Sequence, residues 1–133
     1  MFEVASKFYK RKYRMIIYSE TVIVLARCIQ HHQLFGMNFE KKSRDYWLAN
    51  WAFPIRQTPT KADGFEHIQI QGVISTDSMY PGCPFCKNSS FFKCTCNKIS
   101  CWDGHSSQVT CLWCHQTNKI SGSIKDLSGT SDV

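Results

Sequence analysis

Long apolar runs are missing from this chain of 133 residues. The longest candidate, residues 15–29, is interrupted by Ser19, Glu20, Thr21 and Arg27, so it falls short of the ~18–20 apolar residues that a membrane helix needs. The first residues also lack the basic region, apolar stretch and small-residue cleavage site of a secretory signal peptide. From these absences we expect a cytoplasmic protein whose cysteines stay reduced.

Acidic residues are scarce, with 10 Asp and Glu against 16 Lys and Arg, which gives a formal net charge of +6. The excess positive charge lies in residues 1–45, whereas residues 46–133 are close to neutral. We interpret residues 1–33 as a basic N-terminal arm or helix, of which residues 1–14 either stay solvated or contact a nucleic acid or another anionic surface. Five basic residues would carry that contact: Lys7, Lys10, Arg11, Lys12 and Arg14.

Cysteine, in contrast, is abundant, and seven of the eight cysteines lie between residues 81 and 115. They form a Cys-x-x-Cys pair, a Cys-x-Cys pair, a single cysteine and a second Cys-x-x-Cys pair. Pairs of thiolates with this spacing are typical ligands of Zn²⁺, which prefers four sulfur or nitrogen donors in a tetrahedron. The candidate ligands are these seven cysteines and one histidine within the cluster: Cys83, Cys86, Cys94, Cys96, Cys101, His105, Cys111 and Cys114.

Two other uses of these cysteines are weaker interpretations. A disulfide framework is typical of small secreted domains, but the chain shows no secretory leader and the cluster holds an odd number of cysteines. A thioredoxin-like redox pair needs a βαβ pattern around the Cys-x-x-Cys motif, and neither motif has one.

The chain as a whole predicts a small β-rich zinc-binding domain with zinc-ribbon-like hairpins over residues 34–127, which includes the cysteine cluster at residues 81–115. A flexible tail is expected over residues 128–133. Residues 15–32 favour a helix because apolar residues recur at three- and four-residue spacing, although their many β-branched residues leave a strand and turn open. Residues 34–60 predict a hairpin, and residues 67–75 alternate like a half-buried strand with a bulge at Gly72. Further strands are expected over residues 90–96, 98–102, 108–111 and 119–127. Cys28 lies far from the cluster and is expected to be a buried apolar residue.

Two resemblances follow from the cysteine pattern. The segment FFKCTCNKISCWDGHSSQVTCLWC is similar to the CSL zinc finger of diphthamide-synthesis proteins, with Asn97 and Leu112 in place of that motif's glycine and proline. The segments PGCPFC, FFKCTC, Cys101 and TCLWC, together with the upstream YWLANWAF, more closely resemble the C-terminal metal-binding domain of TerY-type proteins. That family implies a partner von Willebrand A domain, a protein kinase and a PPM-type phosphatase in a bacterial system linked to tellurite and other stress responses. The chain itself contains no von Willebrand A domain.

The CSL resemblance implies one zinc site formed by Cys94, Cys96, Cys111 and Cys114. The remaining candidates, Cys83, Cys86, Cys101 and His105, then form a second site, so we expect two Zn²⁺ ions. A rival scheme joins the two Cys-x-x-Cys pairs in one site: Cys83, Cys86, Cys111 and Cys114. Asp103 is a further possible oxygen ligand, and His67 and His115 compete with His105 for the eighth position. Because protein ligands fill both shells, we expect structural zinc and no enzyme.

We therefore predict an interaction module that zinc stabilises and that binds a signalling protein. Aromatic side chains often anchor such interfaces, and the candidates are Trp47, Trp51, Trp102 and Trp113. The alternative is a nucleic-acid-binding zinc ribbon with a basic arm. An enzyme or an iron-based electron carrier is a third possibility. The sequence contains no cofactor-binding motif that would support it.

Overall fold

The computed structural model describes residues 2–5, 20–55 and 68–130. Within these ranges the chain forms eleven β-strands and no helix, so none of the described residues belongs to a helix that could cross a membrane. The strands are β1 Phe2–Val4, β2 Thr21–Arg27, β3 Leu34–Ser43, β4 Tyr46–Pro54, β5 Ile68–Gln71, β6 Val73–Thr76, β7 Ser90–Lys93, β8 Ile99–Trp102, β9 Gln108–Thr110, β10 Thr117–Ser123 and β11 Asp126–Gly129. The predicted small β-rich class is confirmed.

Nine of these strands form one mixed sheet in the order β6-β4-β3-β2-β8-β7-β1-β10-β9. Its two halves meet at the parallel pair of β2 and β8, where Ala26 faces Ile99. The other two strands, β5 and β11, form a separate antiparallel pair. That pair joins the main sheet where the amides and carbonyls of Ile23 and Thr130 exchange two hydrogen bonds of 2.8 and 2.9 Å.

Strand β2 replaces the helix that we expected over residues 15–32; residues 15–19 lie outside the described part of the chain. Over Thr21–Arg27 the side chains alternate between buried and less buried positions, and Val22, Val24 and Ala26 are in the core. The β-branched residues of this segment suit a strand with neighbours on both sides, so sheet packing overrides the helical spacing. Both β1 and β2 come from the range that we assigned to a separate arm, and both are strands of the main sheet.

The hairpin expected over residues 34–60 forms from β3 and β4, with its turn at Arg44 and Asp45. Its aromatic residues divide between the two faces of the sheet. Trp47 is 4% exposed and packs in the core, whereas Trp51 is 57% exposed. The register shifts between Asn38 and Phe39, and the hairpin therefore carries a bulge close to Trp51.

The strand expected over residues 67–75 is two strands, because Gly72 separates β5 from β6 and sends them to different sheets. Gly72 has a φ of 128°, which lies in the region that favours glycine. A Cβ at this position would lie only 2.3 Å from the backbone oxygen of Asp45. A glycine is therefore required here by both its backbone conformation and the close passage of the β3–β4 turn.

The cysteine-rich part of the chain forms short strands close to the predicted ones. Strands β7 and β8 pair as the expected hairpin, and Asn97 in its tip has a φ of 71°. The strand expected over residues 119–127 is divided between β10 and β11 by Ile124 and Lys125.

The core has two parts, and each contains cysteines. The larger part packs side chains of β2, β3 and β4 around Cys28, Cys83 and Cys101. The smaller part surrounds Cys94 and Cys111 and includes the stacked rings of Phe2 and Phe92, whose centroids are 5.2 Å apart. The fold thus brings two sets of thiols into its interior.

Candidate metal centre

The eight cysteines of the chain gather into two groups of four, and all are free thiols. Within each group the sulfur atoms all lie within 4.8 Å of one another. We name the groups by their first members. The Cys28 tetrad contains Cys28, Cys83, Cys86 and Cys101, and the Cys94 tetrad contains Cys94, Cys96, Cys111 and Cys114.

The Cys94 tetrad joins the β7–β8 hairpin to the turn that follows β9. The Sγ atoms of Cys94 and Cys114 are 3.4 Å apart, and those of Cys96 and Cys111 are 3.7 Å apart. Cys94 and Cys111 are buried, while Cys114 is exposed. This grouping is the one that the CSL resemblance implies; that these thiols ligate a metal remains a prediction.

The Cys28 tetrad lies where β2, β8 and the turn after Gly82 meet. The Sγ atoms of Cys86 and Cys101 are 3.4 Å apart. The Cys101 sulfur also accepts a hydrogen bond of 3.1 Å from the backbone amide of Ile29. Three of the four thiols, those of Cys28, Cys83 and Cys101, are buried.

His105 does not lie in the Cys28 tetrad, and Cys28 is the fourth member in its place. The His105 side chain is 83% exposed, with Nδ1 3.8 Å from Oδ2 of Asp103. The Asp103 carboxylate stabilises its own turn, because Oδ1 accepts hydrogen bonds from the amides of His105 and Ser106 at 2.9 and 2.8 Å. These bonds, together with one from the Ser106 hydroxyl, outweigh desolvation and lower the pKa of Asp103 to about 2.

The sequence also offers His67 and His115 as ligands. His115 is exposed and follows Cys114 without belonging to a tetrad, while His67 lies outside the described residues. The rival scheme that joins both Cys-x-x-Cys pairs is not the arrangement in the structure, because the two pairs belong to different tetrads.

Cys28 was missed because it lies far from the other cysteines in sequence, but its own turn carried a signal. Three turns begin at a tetrad cysteine and share one hydrogen-bond pattern. In each, the amide four residues later donates to the carbonyl of the cysteine, and the cysteine amide donates to the carbonyl five residues later. The three turns begin at Cys28, Cys83 and Cys111. Cys-x-x-His at residues 28–31 has the ligand spacing of the two Cys-x-x-Cys pairs.

Backbone conformation marks the same turns. Four non-glycine residues among those described have a positive φ, and every one follows a tetrad cysteine by three or four positions. These residues are His32, Lys87, Asn97 and His115, with φ between 61° and 71°. Such a conformation is uncommon for residues other than glycine. Its repetition at these positions indicates that the turns are shaped to present sulfur atoms.

Close packing of the thiols shifts their proton affinities in opposite directions. A hydrogen bond with Cys101, together with bonds from the amides of Cys86 and Phe85, lowers the pKa of Cys83 to about 5 despite its burial. Burial raises the pKa of Cys86 to about 11. The pKa of Cys101 is raised far above its ordinary range, chiefly by the hydrogen bond with Cys83 and secondly by burial. The lowered pKa favours the thiolate form of Cys83, and a thiolate attracts a cation.

The tetrads fit a tetrahedral metal ion. A tetrahedron with metal–sulfur bonds of about 2.3 Å has sulfur–sulfur edges of about 3.8 Å. Three of the sulfur–sulfur separations are 3.4, 3.4 and 3.7 Å, and all separations within a tetrad are at most 4.8 Å. A disulfide bond would need about 2.05 Å. Each tetrad can therefore hold one metal ion, and its four thiols would complete a tetrahedral coordination shell.

A family model described as the TerY-C metal binding domain matches residues 18–131. The chain belongs to this family. The matched range contains both tetrads of the TerY-C domain, including the Cys28 turn. No curated protein and no solved structure matches the chain significantly.

Proposed function

We propose that this TerY-C domain is a scaffold in which two zinc ions stabilise a binding surface for signalling proteins. The observation that carries the proposal is the pair of closed four-thiol sets. Closed shells of four protein ligands are typical of structural zinc, whereas catalytic zinc keeps one position for water. Zn²⁺ is the favoured ion because it accepts four thiolates in a tetrahedron and has no redox chemistry. We therefore propose a role without catalysis.

The resemblance to TerY-type proteins supports a von Willebrand A domain, a protein kinase or a PPM-type phosphatase as partner. In that proposal the domain acts in the cytoplasm of a bacterium, within a stress-linked phosphorylation system related to tellurite resistance. Trp51 is the tryptophan best suited to docking, because it is 57% exposed on the sheet. The indoles of Trp102 and Trp113 each donate to a backbone carbonyl, those of Ser106 and Ile99, which favours a packing role for them.

Elemental analysis combined with thiol counting tests the scaffold. We expect two zinc ions per chain and no reactive thiol until a chelator is added, after which all eight cysteines react. One zinc with four protected thiols would leave a single structural site and refute the two-ion scaffold. Calorimetric titration with a von Willebrand A domain, the kinase and the phosphatase then tests the partners separately, since metal content does not depend on them.

The nucleic-acid alternative depends on basic residues that lie outside the described part of the chain. It predicts an affinity for oligonucleotides that falls steeply with salt concentration and disappears when Lys7, Lys10, Arg11, Lys12 and Arg14 are changed to Ala. A protein interaction that is insensitive to salt, without oligonucleotide binding, would favour the scaffold.

A further inference from the structure

His31 occupies a position that the two Cys-x-x-Cys turns give to a ligand. In those turns the third residue after the first cysteine is Cys86 or Cys114, and both belong to tetrads. The Cys28 turn has the same backbone hydrogen bonds, and its third residue is His31. The fold therefore presents an imidazole where its other turns present a second sulfur.

The contact between His31 and Cys28 extends this similarity. The His31 amide donates to the Cys28 sulfur over 3.4 Å, as the amides of Cys86 and Cys114 do to Cys83 and Cys111. The His31 ring nitrogen Nδ1 also lies 3.5 Å from the Cys28 sulfur. A nitrogen donor thus lies beside one member of a set that already contains four sulfurs.

We propose that His31 is a reserve ligand of the Cys28 tetrad, outside the shell while Cys28 is present and inside it when the Cys28 thiolate is lost. This inference rests on the proposed metal scaffold. Structural zinc sites include sets of three cysteines and one histidine as well as sets of four cysteines. We expect a rotation of the imidazole within its turn to bring Nδ1 towards the place of the sulfur, from which it lies 3.5 Å away. The three thiols of Cys83, Cys86 and Cys101 supply the rest of the shell.

The proposal is specific for Cys28. Its sulfur is the tetrad atom that His31 touches, whereas Cys83 is held by a separate turn. Loss of the Cys83 thiolate therefore leaves a gap that His31 does not fill. His32, the next residue, provides a matched control, because it is an exposed histidine in the same turn with a positive φ that asparagine tolerates.

Cadmium-113 NMR tests the inference, since cadmium replaces zinc in thiolate sites and each site gives its own resonance. The unsubstituted chain should bind two ions in four-sulfur environments. Cys28→Ala should still bind two ions, with one resonance moved upfield and correlated with the ring protons of His31. Adding His31→Asn should remove that ion, whereas adding His32→Asn should not. Cys83→Ala should bind one ion.

Several results would overturn the inference. They are one bound ion in Cys28→Ala, a chain that no longer folds, or a second ion that persists after His31→Asn is added. Cys28→Ser repeats the comparison with an oxygen in place of the sulfur and little change in volume, so that a packing defect does not decide the outcome. Absence of metal from the unsubstituted chain would instead contradict the scaffold itself.

Discussion

The Arg27 guanidinium lies over the indole ring of Trp113, 4.5 Å from the ring centroid. Arg27 immediately precedes Cys28, and Trp113 lies between Cys111 and Cys114, so this contact connects the two tetrads. The Lys98 ammonium lies 5.3 Å from the same ring, and the indole nitrogen donates to the carbonyl of the buried Ile99 over 2.8 Å.

We expect Trp113→Ala to lower the free energy of unfolding of the metal-loaded chain by roughly 2–3 kcal/mol, because it removes two cation–π contacts and one hydrogen bond. Trp113→Phe keeps an aromatic ring and should cost only about 1 kcal/mol. Urea denaturation measures both values. Equal losses in the two variants would show that the ring contributes little.

Trp47 and Trp51 lie four positions apart in β4 and differ in exposure, which makes them a matched pair. Trp47→Ala removes a buried side chain and should lower the free energy of unfolding by about 3–5 kcal/mol. Trp51→Ala should change it by no more than about 0.5 kcal/mol but weaken binding to the protein partner at least tenfold. Thermal unfolding and calorimetric titration provide the two readouts. Unchanged partner affinity in Trp51→Ala would remove this residue from the docking surface.

Metal removal should unfold much of the sheet. Structural zinc contributes about 10–16 kcal/mol in small zinc domains, which is comparable to the whole stability of a typical domain of about 5–15 kcal/mol. We expect a strong chelator to abolish the near-ultraviolet circular dichroism of the tryptophans, and added Zn²⁺ to restore it. A spectrum that survives complete metal loss would mean that the apolar core alone holds the fold.

Metal binding should release protons and weaken on acidification. Burial raises the pKa of Cys86 to about 11. The pKa of Cys101 is raised well above its normal range, chiefly by the hydrogen bond with Cys83 and secondly by burial. Both thiols of the metal-free chain therefore carry protons at neutral pH, and the ion must displace them. The metal-free state binds more protons, so the apparent affinity rises with pH. Calorimetry at pH 7 in two buffers of different ionisation enthalpy should detect at least two released protons per Cys28 tetrad; a buffer-independent enthalpy would contradict this.

Gly72→Ala should lower the free energy of unfolding by about 1–3 kcal/mol, because a positive φ is strained for alanine and the new Cβ meets the Asp45 carbonyl. Gly122 is a suitable control. It also has a positive φ, 77°, but the nearest atom to a Cβ there is 4.0 Å away. The excess loss in Gly72→Ala over Gly122→Ala, measured by thermal unfolding, reports the steric contact together with the greater strain of alanine at a φ of 128°. Equal losses would show that the β3–β4 turn moves aside.

The sequence predicted most of the local structure near the cysteines, because tight turns and thiol spacing are encoded within a few residues. It predicted the turn at Asn97 and the β7–β8 hairpin for this reason. It did not predict that Cys28 joins the tetrad of Cys101 in place of His105, which depends on β2 reaching the centre of the sheet. That placement is decided by packing of Val22, Val24 and Ala26 against strands far along the chain. The spacing of apolar residues in the same segment instead predicted a helix.

The non-consecutive order of the strands has a consequence for the order in which the two tetrads form. Ile29 and Cys101 meet across 72 positions, whereas Cys94 and Cys114 meet across 20. A shorter loop closes at a lower entropic cost, so we expect the Cys94 tetrad to assemble before the Cys28 tetrad when the whole chain folds. We expect the Cys28 thiol to stay apart from Cys101 until that long loop closes, and to be open to oxidation during the interval.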